Sequence, residues 1–214
     1  MEYSTKAMGI SAIIFDCDGV MFDSRRANAD FYNHILSHFG LPPLADDDVA
    51  FVHMHTAEES VNHIFRDSPY QAQAQEYRST TLDHTPFIRE MVMEPGLTEL
   101  LEFLKPRFGL AVATNRSNTI GKVLEYHDLT GYFDIVVSSL DVKNPKPHPE
   151  PILKIFDFFG IESHQCLYVG DSEVDWEVCQ ASGVTLVAYR NRGLKAPYCV
   201  DKLLDVLTIL PLFS

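Results

Sequence analysis

Five short runs of consecutive apolar residues punctuate the chain: 11–15 (SAIIF), 109–113 (GLAVA), 134–137 (DIVV), 166–169 (CLYV) and 185–188 (TLVA). None alternates with polar positions, as a strand wetted on one face would, so each predicts a strand buried on both faces. Between the later runs the apolar residues switch to helical spacing. Residues 97–105 follow the Pro95-Gly96 turn, and 118–127 follow the second run. Residues 150–160 open after a proline and close on a glycine, and 174–182 stop at Gly183. Strand and helix in alternation predict an α/β fold, a Rossmann-like parallel sheet with helices on both faces.

One stretch departs from this rhythm. From residue 21 to 94 no run reads as a strand. Residues 23–39 are amphipathic, with Ala27, Phe31, Ile35 and Leu36 at helical spacing. Thr56 followed three residues on by Glu59 is a capping-box pattern, opening a helix through Val61, Ile64 and Phe65. Residues 70–83 form a weaker helical pattern. The chain therefore divides into an α/β core (1–20 and 95–214) and an inserted α-helical cap domain (21–94). An insertion beside the carboxyl end of the first strand is placed to act as a lid. The final apolar stripe, 203–210, reads as a last core helix.

In open parallel sheets, ligands bind beyond the carboxyl ends of the strands. The first predicted strand is followed by Asp16, Cys17, Asp18 and Gly19, the second by Thr114, Asn115 and Arg116. The third leads to a proline-rich loop holding Lys146, and the fourth to Asp171 and Asp175. Carboxylates crowded on one edge cannot all remain ionised without a cation. Oxygen ligands alone select a hard ion, usually Mg²⁺ where a phosphate completes the shell. A lysine supplies a point charge for phosphate oxygens, and Thr and Asn add donors. This is equipment for phosphoryl transfer. Asp16 and Asp18 lie two residues apart in an extended segment and so face one substrate from the same side.

Composition narrows the partners. Lys and Arg number 17 against 30 Asp and Glu, a formal charge of −13 in 214 residues. So acidic a surface repels phosphate backbones and anionic lipid, which argues against nucleic-acid and membrane partners and for a small phosphorylated metabolite. The N-terminal residues 1–9 are polar, and the apolar run after them is too short for a signal peptide. The four cysteines (Cys17, Cys166, Cys179 and Cys199) show no paired or metal-type spacing and read as reduced thiols in a cytoplasmic protein. The expected assembly is a monomer or a homodimer.

Taken in order, the four segments resemble the four motifs of the haloacid dehalogenase-like hydrolase superfamily. DCDGV (16–20) resembles its DxDG[TV] motif and ATN (113–115) its second; Lys146 in NPKPHPEP (144–151) stands for the third and GDSEVD (170–175) for the GDxxxD fourth. The inserted helices resemble the cap of the phosphoglycolate phosphatase and β-phosphoglucomutase branch. The resemblance implies a Mg²⁺-dependent phosphatase working through an aspartyl-phosphate, with a phosphomutase as the alternative and a non-catalytic binding protein a remoter one. It implies Asp16 as nucleophile and Asp18 as general acid/base. Asp16, Asp18 (through its carbonyl) and Asp171 would hold the metal, with Asp175 as ligand or beside it. Gly19, Thr114, Asn115, Arg116 and Lys146 would hold the phosphate.

Within the superfamily the dehalogenases lack an aspartate equivalent to Asp18, and the phosphonate-cleaving relatives use a cap lysine. Asp18 is present here and no lysine occurs between residues 21 and 94, which leaves phosphomonoester chemistry. Two departures stand out. Arg116 follows Thr-Asn where many phosphoglycolate phosphatases carry Lys, keeping the charge but not the geometry. The segment after the first motif is VMFDS (20–24) where TLVDS is common, and Met21 and Phe22 make a more apolar cap entrance the expectation. His53 and His55, in a predicted inter-helix loop of the cap, are the candidates for substrate contact. The cap arginines Arg25, Arg26, Arg66 and Arg78 read as solvated cations, and Trp176 as a residue packed against the sheet.

Overall fold

The computed structural model describes residues 9–213. The polar N-terminal stretch lies, apart from Gly9, outside the described residues. In chain order the elements are β1 (Ala12–Phe15), β2 (Phe22–Asp23), α1 (Arg25–His38), α2 (Asp46–Met54), α3 (Ala57–Ile64), α4 (Gln71–Glu76), α5 (Thr85–Arg89) and β3 (Val92–Met93). There follow α6 (Leu97–Leu104), β4 (Gly109–Ala113), α7 (Ile120–Tyr126), β5 (Ile135–Val137), α8 (Glu150–Phe159) and β6 (Cys166–Gly170). The described chain closes with α9 (Glu173–Ser182), β7 (Thr185–Tyr189), β8 (Tyr198–Val200) and α10 (Val206–Ile209).

Six strands form one sheet in the order β5-β4-β1-β6-β7-β8, every pair parallel. β1 sits in the interior, Ala12 to Phe15 pairing with Gly109 to Val112 on one side and Cys166 to Val169 on the other. The chain builds outward from β1 through β4 and β5, then returns to build the other way through β6, β7 and β8. The carboxyl end of β1 is thus the switch point, where crevices open in such sheets.

Each strand divides its side chains between two faces with a period of two. Ile13, Phe15, Leu110, Val112, Leu167 and Val169 join a cluster with Leu97, Leu100, Leu101 and Leu104 of α6, Val123 of α7 and Val206 of α10. Ala12, Ile14, Ala111, Ala113, Cys166 and Tyr168 face the other way, onto Ile152 and Ile155 of α8 and Val178 and Cys179 of α9. Burial on both faces is why the runs lack polar alternation. Trp176 packs against this second cluster. Gly160 and Gly183 close α8 and α9 in the left-handed conformation, which a glycine adopts without a Cβ clash.

The segment between β1 and β4 carries a third apolar cluster of its own. Tyr32, Ile35, Leu36, Val52, Val61, Phe65 and Ala74, from α1 to α4, pack together among the inserted helices. The Thr56–Glu59 capping box opens α3 as the sequence pattern requires. The strand-free reading of residues 21–94 needs correction. β2 and β3 pair antiparallel where the chain leaves and re-enters the core, Phe22 opposite Met93 and Asp23 opposite Val92. Strands of two residues are too short to leave a periodic signal.

Met21 and Phe22 also depart from expectation. Both are fully buried in the first sheet cluster, with the Phe22 ring centroid 4.6 Å from that of His127. They wedge the base of the inserted segment against the core and do not form an entrance. The predicted helix over 70–83 stops at Glu76 and continues as a π-helical turn, Tyr77–Thr81. The last apolar stripe breaks into short turns around α10, with Pro211 inside the final one. His53 lies in the last turn of α2, not in a loop.

Candidate active site

At the carboxyl end of β1 the backbone turns at Gly19, whose φ is +80°. A Cβ there would lie 2.1 Å from an Asp171 carboxylate oxygen, so glycine is required twice, by the turn and by the carboxylate it faces. The turn leaves Asp16 and Asp18 on either side of Cys17, both nearly buried.

Asp16 accepts two hydrogen bonds on one oxygen: the Cys17 amide donates to Oδ1 at 2.7 Å, and the Lys146 ammonium sits 2.9 Å from the same atom. Its Oδ2 has no protein donor among the described residues. Lys146, 3% exposed, reaches this point from the loop between β5 and α8. Its Nζ also donates to Asp175 Oδ1 and to the Tyr168 hydroxyl, each at 2.8 Å. Burial alone would lower the lysine's pKa, but the charges of Asp16 and Asp175 raise it, so it stays an ammonium ion.

Asp175 is fully buried in the first turn of α9 and is saturated with donors. Oδ1 accepts from Lys146 and Tyr168; Oδ2 accepts from the Asp171 amide and from the Ser172 amide and hydroxyl. Burial pushes its pKa up, but Lys146 and these donors bring the net below the ordinary value. Asp171 is the reverse. Its carboxylate has no donor among the described residues, and burial with the charges of Asp175 and Asp16 raises it to about 9. Asp16 is likewise raised to about 7 by burial and by Asp175, with Lys146 opposing. One oxygen each of Asp16, Asp171 and Asp175 lies within 4.8 Å of the others. Buried carboxylates held above their normal range, with uncommitted oxygens facing each other, fit a hard divalent cation. The spare oxygens belong to Asp16 and Asp171; those of Asp175 are used.

Asp18 points to a different set of partners. Arg116 grips it with both arms, Nε to Oδ2 at 2.7 Å and Nη2 to Oδ1 at 2.6 Å. Ser24 and Asn28, from the start of α1, also donate to Oδ1. Burial would raise this carboxyl, but Arg116 overrides it and holds the pKa down to about 2. Arg116 Nη2 donates in addition to Asn28 Oδ1 at 2.9 Å, and Asn28 Nδ2 lies 3.2 Å from His53 Nδ1. Arg116, expected on phosphate, is thus occupied by Asp18 in this structure.

Thr114, at the end of β4, accepts the Arg116 amide on its hydroxyl at 3.1 Å. Asn115 Nδ2 donates to the carbonyls of Met54 in α2 and of Lys146, each at 3.0 Å, joining an inserted helix to the lysine loop. Asp16, Asp18, Thr114, Asn115, Arg116 and Lys146 line one cleft with His53 and His55. The cleft encloses about 730 Å³, part of it open to solvent.

Sequence reasoning missed Tyr168, Ser24, Asn28 and Ser172. Two of these carry a readable signal. A tyrosine in a strand buried on both faces needs a partner for its hydroxyl; Tyr168 finds Lys146, Asp175 and the Ala113 carbonyl. Ser172 with Asp175 three residues on is a capping-box pattern, and the structure forms it. Ser24 and Asn28 meet Asp18 only through the packing of α1.

Residues 13–189 match the family described as haloacid dehalogenase-like hydrolase, and the chain belongs to that family. A phosphoglycolate phosphatase of Photorhabdus laumondii is 30% identical over 186 residues, covering 84% of this chain and 80% of that protein. A pyrophosphatase of Bacillus mycoides is 26% identical over 212 residues, covering 95% and 98%. Among solved structures, a subfamily IA hydrolase of this superfamily from Geobacter sulfurreducens is 39% identical, covers 97% of this chain and 99% of that one, and superposes with a TM-score of 0.77. A β-phosphoglucomutase of Clostridium difficile, 20% identical over 95% of this chain and 97% of that one, has a TM-score of 0.83 and shares the fold. The protein is therefore a hydrolase of this family, similar to its phosphatases. No helix among the described residues is long and apolar enough to cross a membrane.

Proposed function

We propose that the protein hydrolyses a small phosphomonoester, of the phosphoglycolate type in size, through an aspartyl-phosphate on Asp16, with Mg²⁺ as cofactor. The observation that carries the reading is the pairing at Asp16: one oxygen tethered by the Cys17 amide and Lys146, the other uncommitted. A carboxylate so held is an oriented nucleophile.

In the first half-reaction the Asp16 carboxylate attacks phosphorus, the bond from phosphorus to the ester oxygen breaks, and the departing oxygen takes the proton of the Asp18 carboxyl. In the second, the Asp18 carboxylate takes a proton from water as that water attacks phosphorus. The bond from phosphorus to Asp16 breaks, and phosphate leaves with Asp18 protonated again. Lys146 supplies positive charge beside the phosphoryl group, and the Thr114 hydroxyl and the Asn115 backbone amide orient its oxygens. Asp16, Asp171 and the Asp18 carbonyl would hold Mg²⁺, with Asp175 fixing Lys146 and the Asp171 backbone. When bound, the ion supplies charge neutralisation between the carboxylates and the phosphoryl group. Asp18 must leave Arg116 to carry a proton, so substrate entry has to loosen that pair. Residues 21–94 act as a cap domain over the core formed by 1–20 and 95–214, excluding bulk water from the cleft.

The test is phosphate release from a panel of phosphomonoesters with and without Mg²⁺, for the wild type and Asp16→Asn. Turnover that requires Mg²⁺ and disappears in the variant supports the reading. Activity retained in Asp16→Asn overturns the nucleophile, and an isomerised sugar phosphate in place of free phosphate replaces hydrolysis by mutase chemistry.

A further inference from the structure

The cleft holds three cations, and two of them are fully engaged by the protein. Lys146 lies between Asp16 and Asp175, and Arg116 is clamped on Asp18. The third is Arg78, half-buried on the wall formed by the inserted helices. Its side chain makes one polar contact, Nε to Gln75 Oε1 at 3.3 Å, and among the described residues no carboxylate lies within ion-pairing distance of it. Arg26 pairs with Asp30, Arg66 with Asp48 and Asp67, and Arg190 with Glu94, while Arg25, Arg89 and Arg107, which also lack a carboxylate partner among the described residues, lie outside the cleft. Both terminal nitrogens of Arg78 remain without an acceptor in the cleft that Asp16 and Asp18 also line, where a planar fork of donors suits a carboxylate or phosphate.

The backbone around it points the same way. Arg78 lies within the π-helical turn Tyr77–Thr81, an irregularity that often marks a functional position. Its carbonyl oxygen is 3.1 Å from His84 Nε2. His84 Nε2–H donates to that carbonyl; burial and the nearby charges of Arg78 and Lys122 lower the His84 pKa, with the carbonyl itself opposing. His84 stacks on Phe31 at 5.2 Å, and Phe87 meets Phe31 edge-on at 5.3 Å. Phe31, His84 and Phe87 line the same cleft, so the arginine is set beside a rigid aromatic wall. The Tyr32 phenol, also in the cleft, lies within electrostatic range of both Arg78 and Arg116.

We infer that Arg78 is a specificity-determining residue that binds a second anionic group, carboxylate or phosphate, on the leaving-group side of the phosphomonoester, whose body lies along the Phe31–His84–Phe87 wall. The inference rests on the phosphatase reading for the position of the first phosphate.

The test is made on the Asp16→Asn full-length protein, which keeps ligand intact, by calorimetric titration in Mg²⁺. The probes are phosphoglycolate, a hexose bisphosphate and glycerol phosphate. A doubly anionic probe is expected to bind about tenfold or more tightly than glycerol phosphate. Arg78→Gln in that background is expected to bring the ratio to about unity and Arg78→Lys to retain part of it. Arg66→Gln, outside the cleft, is expected to preserve it. Whichever dianion loses more identifies carboxylate or phosphate as the preferred group. A ratio that survives Arg78→Gln, or a parent protein with no preference for the second anion, overturns the inference. Phosphate release by the wild type is read separately: its absence sinks the phosphatase reading while the binding ratio still reports on Arg78.

Discussion

Arg116 and Asp18 form a nearly buried pair with side chains 13% and 11% exposed, held by two short bonds and flanked by Ser24 and Asn28. Removing one partner strands the other's charge, which in buried pairs costs about 3–5 kcal/mol. Arg116→Gln is therefore expected to lose about 3 kcal/mol in urea unfolding at neutral pH, and Asp18→Asn in the same chain to recover part of it. Because the folded Asp18 pKa is depressed to about 2, the pair's contribution is present at neutral pH and is lost as pH falls through that value. A double-mutant cycle with no coupling at pH 7 would contradict the geometry. Gly19 offers a second test at this scale. Gly19→Ala must adopt a left-handed φ, at about 1 kcal/mol, and must displace the Asp171 carboxylate. Phosphate release is expected to fall at least about tenfold, with partial recovery at raised Mg²⁺, read from initial rates across a magnesium series.

At the level of elements, the inserted helices own their apolar cluster, separate from the two that cover the sheet. Phe65 is fully buried within it. Phe65→Ala is expected to cost about 3–5 kcal/mol locally. Amide exchange should then speed up across α1 to α4 while β1, β4 and β6 keep their protection, as independent clusters require. Uniform loss of protection in both regions would mean that residues 21–94 do not form a unit. The same contrast explains what the sequence discloses. Strands buried on both faces write themselves as unbroken apolar runs, and the candidate residues follow closely on three of them and in the proline-rich loop after a fourth, so Asp16, Thr114, Lys146 and Asp171 could be read in order. β2 and β3 are two residues each, and β8 has a residue open to solvent at the sheet edge, so neither pattern develops. The partners of Asp18 were illegible for another reason. Ser24 and Asn28 are ordinary helix-start residues until α1 packs beside the Gly19 turn, and the charge on Arg116 does not reveal which anion it will meet.

On the scale of the whole molecule, the chain is strongly acidic and gathers several of its carboxylates where water is scarce. Asp16 and Asp171, raised to about 7 and about 9, hold protons in the folded state that they release when unfolded. The native protein therefore binds more protons than the unfolded chain between the ordinary carboxylate value of about 4 and those raised values, and stability falls as pH rises across that window. A divalent cation at the cluster competes with those protons and stabilises only the folded state, so its effect grows with pH. Thermal unfolding from pH 5 to 9 in a chelator is expected to show a falling midpoint, with millimolar Mg²⁺ raising it most at the alkaline end. Asp171→Asn removes one of the two groups and should flatten the chelated profile while weakening the magnesium effect. A wild-type midpoint that rises toward pH 9 in chelator, or a magnesium effect unchanged in Asp171→Asn, would place the ion somewhere other than beside Asp16. The raised carboxylates would then be the cost of crowding alone, offset at Asp16 by Lys146 and the Cys17 amide.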